Sequence, residues 1–348
     1  MRNHPCARVS SSDFPTISSP TPVFLILLSV LLSLFCAKSL TAADPGWVAL
    51  DPAEPGVNLS SRYTVTVNGT PVPVIKIQGS SVPSYVHFSF AGEVQVKITV
   101  NEPVSSYTLT PKSYGIVSAS SGQVITFSLN KPRHLILHHV NASTESLGIF
   151  ADGIEDDVVR LGGTGVINVK DFGVDSTGGS NSSSQIQNAI NATPLNGTLY
   201  FPPGRYTANG LNCKSDSTIY LAAGAVIQSS IDSSATTMFW VNSHNVTIKG
   251  RGVLEGRGNV NRAAGRMYNL IENHGNNWTL AGVILRNSTA WNIMTYGNNL
   301  TFSNVKWIGN MDNTAMDAIG TTGTGITVDD CVIMNTDDPF AQIGRAHV

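Results

Sequence analysis

Three aspartates near the carboxyl end have the types and spacing best suited to chemistry. Asp317 closes the run Asp312-Asn313-Thr314-Ala315-Met316-Asp317, and Asp337 and Asp338 close Asn335-Thr336-Asp337-Asp338. Asp337 follows Asp317 by 20 residues. If the chain coils with about that period, strands stacked about 4.8 Å apart set these carboxyls on neighbouring rungs. Crowded carboxyls compete for protons, so one titrates high and can donate while its partners stay ionised and can accept. Hydrolysis of a glycosidic bond needs that division: an acid for the leaving oxygen and a base for the water. The plainer alternative is that these residues only turn corners, as Asp329-Asp330 do in this reading. No metal-ligand spacing is present.

The elements that must position these acids repeat along the chain. Asn245-Val246-Thr247-Ile248, Asn277-Trp278-Thr279-Leu280, Asn299-Leu300-Thr301-Phe302 and Gly325-Ile326-Thr327-Val328 share one template. Each is followed by a turn residue (Gly250, Gly282, Asn304, Asp330) and a second short apolar strand, and the steps are 32, 22 and 26 residues. Unequal steps of β-strands with Asn, Gly or Asp at the corners predict the coils of a parallel β-helix, with insertions as loops. In this register Val283, Val305 and Cys331 stack inside, as do Leu285, Trp307 and Ile333, so Cys331 is expected to be buried and free. Upstream, Ser182 and Gln185 have capping-box spacing ahead of Ile186 and Ile190, which predicts a short amphipathic helix over the open end of the coil.

From Trp47 to about Gly163 the pattern differs. Short alternating runs, among them Tyr63 to Val67, Val72 to Ile77, Tyr85 to Phe90, Val94 to Val100 and Val124 to Leu129, predict a β-sandwich over 44–163 ahead of a β-helix over 164–342. His138-His139 reads as a surface pair. Glu155-Asp156-Asp157 reads as a solvated linker. At the amino terminus the apolar run Val23 to Ala37 is shorter than the roughly 20 residues of a membrane span and precedes Thr41-Ala42-Ala43, which predicts a signal peptide over 1–43 and a secreted protein. Sequons recur from Asn58 to Asn299, consistent with a glycoprotein.

Composition narrows the function. Of 348 residues 13% are charged, and Gly, Ser, Thr and Asn fill the polar share, which excludes a coiled coil or a charged disordered tail. The formal net charge of -2 offers no basic footprint for nucleic acid.

Several stretches carry a family resemblance. Val169-Lys170-Asp171-Phe172-Gly173, Leu199-Tyr200-Phe201-Pro202-Pro203-Gly204, Thr218 to Ile227, Gly250 to Gly256 and Asp337-Asp338 make residues 166 to about 342 similar to secreted β-helical glycoside hydrolases. These are the polygalacturonase family (family 28) and the related dextranase family (family 49). The first four stretches also fit β-helical lyases; the last is specific to the hydrolases. The leading sandwich is closer to the dextranase family and some bacterial polygalacturonase-like enzymes. The resemblance implies a right-handed parallel β-helix and inverting hydrolysis of a polysaccharide without a cofactor; at full length a monomer is expected. Asp337 is then the general acid, and Asp338 with an aspartate one coil earlier activates water.

The sequence also departs from that pattern. Polygalacturonases carry Asn-Thr-Asp-Gly where this chain has Asn313-Thr314-Ala315-Met316-Asp317: without a gap Ala315 takes the aspartate's place, and with a shift of two residues Asp317 fills it. Positions 315 and 317 share a strand face. The Gly-His-Gly and Arg-x-Lys elements that bind a uronate carboxylate have no counterpart. The ending Ile343-Gly344-Arg345-Ala346-His347-Val348 matches a translated sequencing adapter, so 343–348 is read as a non-native tail on a truncated chain expected to be inactive. Two other readings stay open: a pectate-type lyase, which needs calcium and a basic side chain at the cleft, and a non-catalytic carbohydrate-binding or adhesive β-helix. Trp291 and Tyr296 are candidates to stack on sugars or to pack in the core.

Overall fold

The computed structural model describes residues 47–49, 57–77, 83–232, 234, 236–309 and 316–342. The predicted signal peptide, Asp312 to Ala315 and the tail from Ile343 lie outside these residues. Two sheets face each other in the first half, and a three-sided solenoid of parallel strands forms the second. The fold is an all-β one, a β-sandwich followed by a right-handed parallel β-helix.

Strand alternation translates directly into burial in the five-stranded sheet of the sandwich. Val94–Val100 buries Val94, Val96, Ile98 and Val100 and turns Gln95 and Lys97 outward, between Tyr63–Val67 and Val124–Leu129. The expected strand Val72 to Ile77 is two strands. Thr70–Val72 belongs to this sheet and Ile75–Lys76 to the opposite one, because Pro73 has no N–H for a ladder and the chain crosses over there. In the opposite sheet Ser84–Ala91 and Leu147–Gly153 pair in parallel and are buried on both faces. One face fills the sandwich, and the other sets Tyr85 and Phe150 against Val226, Val253, Ile284, Ile308 and Met334 of the solenoid.

The solenoid follows the repeat. Thr247, Thr279, Thr301 and Thr327 are register partners on four successive rungs of the first sheet. Asn245, Asn277, Asn299 and Gly325 precede them at positive φ, between 57° and 69°, a backbone that Asn and Gly tolerate best. Their side chains form a ladder: Asn299 Nδ2 donates to Asn277 Oδ1 (3.2 Å), Asn277 Nδ2 to Asn245 Oδ1 (2.9 Å) and Asn245 Nδ2 to Asp216 Oδ1 (2.7 Å). Inside, Leu285, Trp307 and Ile333 stack as read from the sequence, and Phe302 meets Trp278 and Trp307 edge-on at 5.4 and 6.0 Å.

Three local expectations need correction. The helix forms at Ser183–Ala192 and buries Ile186, Ala189 and Ile190, but there is no capping box: the Ser182 hydroxyl accepts from the Asp175 N–H (3.1 Å) instead. Cys331 is free and points to the core, yet it is only half-buried, since no described rung covers it. The acidic run is not a free linker. Glu155 accepts from Tyr220 Oη (3.0 Å) and Asp157 pairs with Lys249, so both dock on the solenoid. His139 is exposed as read, and His138 beside it is half-buried.

A buried ionic cluster joins the two halves. Asp152, on Leu147–Gly153, accepts from Lys306 Nζ (2.6 Å) and pairs with Arg251 (2.9 Å) and with His87 Nε2 (2.9 Å). Both Asp152 and Lys306 are sealed from water. Burial alone would raise the Asp152 pKa, but Lys306, His87 and Arg251 together hold it well below the usual carboxylate range.

Candidate active site

Each coil passes from the second sheet to the third through a corner, and the acids occupy successive corners. Asp317 ends the corner that enters Ile319–Thr321; Asp337 and Asp338 lie in the next, which enters Phe340–Gln342, and Ile319 and Phe340 are register partners. The solenoid therefore sets all three aspartates on neighbouring rungs at one edge. Ala318 N–H donates to the Asp338 carbonyl (3.1 Å), tying the corners together.

Asparagines hold the Asp317 segment from both sides. On the preceding rung the Asn292 backbone N–H (2.9 Å) and its Nδ2 (3.2 Å) both donate to the Asp317 carbonyl. On the following rung Asn335 Nδ2 donates to the Met316 carbonyl (2.8 Å). Asn292 is fully buried, and its Oδ1 has no hydrogen-bond partner among the described residues. Sequence reading missed Asn292, because one more asparagine in an Asn-rich corner carries no distinguishing signal.

The three carboxyls differ in environment. Asp317 is 5% exposed, whereas Asp337 and Asp338 are exposed. Burial raises the Asp317 pKa, the charges of Asp337 and Asp338 raise it further, and a backbone hydrogen bond from Asp338 acts in the opposite direction. The trio thus contains one buried group whose pKa is raised beside two water-facing ones. Such a set can hold a proton and accept another across one reaction cycle. Among the described residues no group of three His, Cys, Asp or Glu is arranged around a metal position.

The two aromatics read from the sequence part company. Trp291 is half-buried in the corner directly before Asn292, on the same edge as the acids. Tyr296 lies beyond the other end of Ile293–Thr295, exposed, with its ring on His274 at 4.6 Å between centroids.

Stacked acidic corners on a three-sided parallel solenoid place the chain among the parallel β-helix folds. The family model described as rhamnogalacturonase A/epimerase, pectate lyase-like matches residues 166–344, and the chain belongs to that family. The match coincides with the span of the motif resemblance. No curated protein matches the chain. Similar solved structures include Dex49A from Penicillium minioluteum (16% identity, TM-score 0.46, 83% of this chain and 76% of that one). A family 28 exopolygalacturonase of Yersinia enterocolitica (16%, TM-score 0.45, 84% and 62%) is another. So is a polygalacturonase of Erwinia carotovora (18%, TM-score 0.46, 56% and 62%). The chain spans 62% of the length of each of these two polygalacturonases.

Proposed function

We propose that this protein hydrolyses glycosidic bonds in a polysaccharide laid along the edge that carries Asp317, Asp337 and Asp338. The observation that supports this reading most is the meeting of a buried aspartate with two exposed ones on adjacent rungs, with the buried one raised in pKa. Inverting hydrolysis asks for an acid at the leaving oxygen and a base that takes a proton from water on the opposite face of the sugar. By resemblance Asp337 is the acid, and Asp338 with Asp317 serves the water. The raised pKa of Asp317 favours a second reading in which Asp317 keeps the donated proton and the exposed pair activates water.

Leaving-group chemistry separates these assignments. A variant lacking the acid still cleaves an aryl glycoside, whose leaving group needs no proton, while a variant lacking the base cleaves neither aryl glycoside nor polymer. Asp337→Asn is expected to spare the aryl substrate under the first assignment, and Asp317→Asn under the second. Full polymer turnover by both variants would exclude catalysis by the trio and favour a binding or adhesive solenoid. An unsaturated product absorbing in the ultraviolet would indicate a lyase. Polygalacturonan-like and dextran-like polymers are the substrate classes proposed. Secretion is proposed from the apolar run Val23 to Ala37; no helix among the described residues is long and apolar enough to cross a membrane.

A further inference from the structure

The corner before the acids carries a side chain whose position the fold sets by an omission. Trp291 lies against Gly320: a β-carbon at Gly320 would sit 2.9 Å from Trp291 Cε3, 3.0 Å from its Cζ3 and 3.0 Å from Met294 Sδ. The indole therefore rests on bare backbone of the outer face of the third sheet. Gly320 is the register partner of Met294, and Ala341 follows on the next rung, so small residues continue the strip beside the ring.

The Trp291 backbone is equally fixed. Its carbonyl accepts from Leu270 N–H (3.3 Å) and Ser288 Oγ (3.0 Å), and the next residue, Asn292, is bonded to the Asp317 carbonyl. Asp317 is three positions before Gly320 and Asp338 three before Ala341, so the strip beside the ring lies on the two rungs that carry the acids, and Trp291 enters from the rung before them. Trp278 and Trp307 are fully buried in the core, whereas Trp291 is only half-buried. A half-buried indole set against sheet backbone, on a rigid support, suits the flat C–H face of a pyranose.

We propose that Trp291 is a sugar-stacking platform adjoining the bond to be cut, seated by Gly320, and that it takes a pyranose of the bound polysaccharide. The position of that bond rests on the proposed function of the acids. The test is a fluorescence titration of the full chain with an oligogalacturonide and, separately, an isomalto-oligosaccharide. Wild type is expected to show a saturable change with at least one probe, and the preferred probe identifies whether the sugar is acidic or neutral. Trp291→Ala is expected to raise Kd about tenfold, Trp291→Phe less, and Gly320→Ala to weaken binding by lifting the indole. Circular dichroism of Trp291→Phe, which keeps an aromatic ring in place, controls for folding. Equal Kd values for wild type and Trp291→Ala, or no saturable change with either probe in wild type, would overturn the proposal. Full polymer turnover by Asp337→Asn, with the Kd of Trp291→Ala still raised, would sink the catalytic reading while the platform stands.

Discussion

Two buried aspartates in one molecule meet opposite electrostatic surroundings. Asp152, at the seam between sandwich and solenoid, is sealed among Lys306, Arg251 and His87, and its pKa falls well below the ordinary value. Asp317, at the solenoid edge, has Asp337 and Asp338 for neighbours, and its pKa rises. Burial penalises the charge of both; the sign of the neighbours decides the outcome. Where cations crowd a carboxylate the fold gains a joint, and where carboxylates crowd one another the pKa of the buried one moves up.

Substitution by the uncharged isostere breaks this contrast most sharply in activity. Asp317→Asn and Asp337→Asn are each expected to lower turnover of the polymer by about 10²- to 10⁴-fold, measured by reducing-end release. At the seam the effect falls on stability. Asp152→Asn leaves Lys306 buried without its counter-charge and is expected to cost about 3–5 kcal/mol in denaturant unfolding, whereas replacing both by apolar residues costs less.

The pH dependences sharpen the same comparison. For Asp152 the folded pKa is depressed, so its contribution is complete above the ordinary carboxyl value and disappears as pH falls through the lower folded one. For Asp317 the folded pKa is raised, so its charge destabilises the fold once pH passes the ordinary value. Asp317→Asn should therefore melt higher than wild type at neutral pH, with the gap closing below about pH 4. A variant that loses activity yet gains stability would mark Asp317 as a functional residue rather than a structural one. The smallest effect is expected in the corner ladder, where Asn277→Ala costs about 1 kcal/mol through its positive φ, and Asn277→Gly less.

The solenoid was legible because its corners are demanding. A left-handed backbone every coil leaves Asn or Gly at Asn245, Asn277, Asn299 and Gly325, and those residues repeat visibly in the sequence. The acidic edge was legible for the same reason, since the register that stacks the threonines also stacks the corners. The seam was not. Asp152 and Lys306 lie 154 residues apart, and neither belongs to a local pattern. Continuous burial of Ser84–Ala91 also hides in the sequence, because a strand with cores on both faces loses its alternation. The capping box failed because Ser182 had a competing partner in the Asp175 N–H, a contact that spacing cannot reveal.

The joints between the second and third sheets vary in length, from residues 287–292 on one coil to 256–270 on another, yet both deliver the chain to the same register column. Length changes are thereby absorbed outside the stacked strands. Such a scaffold can acquire or shed surface loops beside its acids while its interior stays untouched, which makes this edge the natural place to graft new recognition segments.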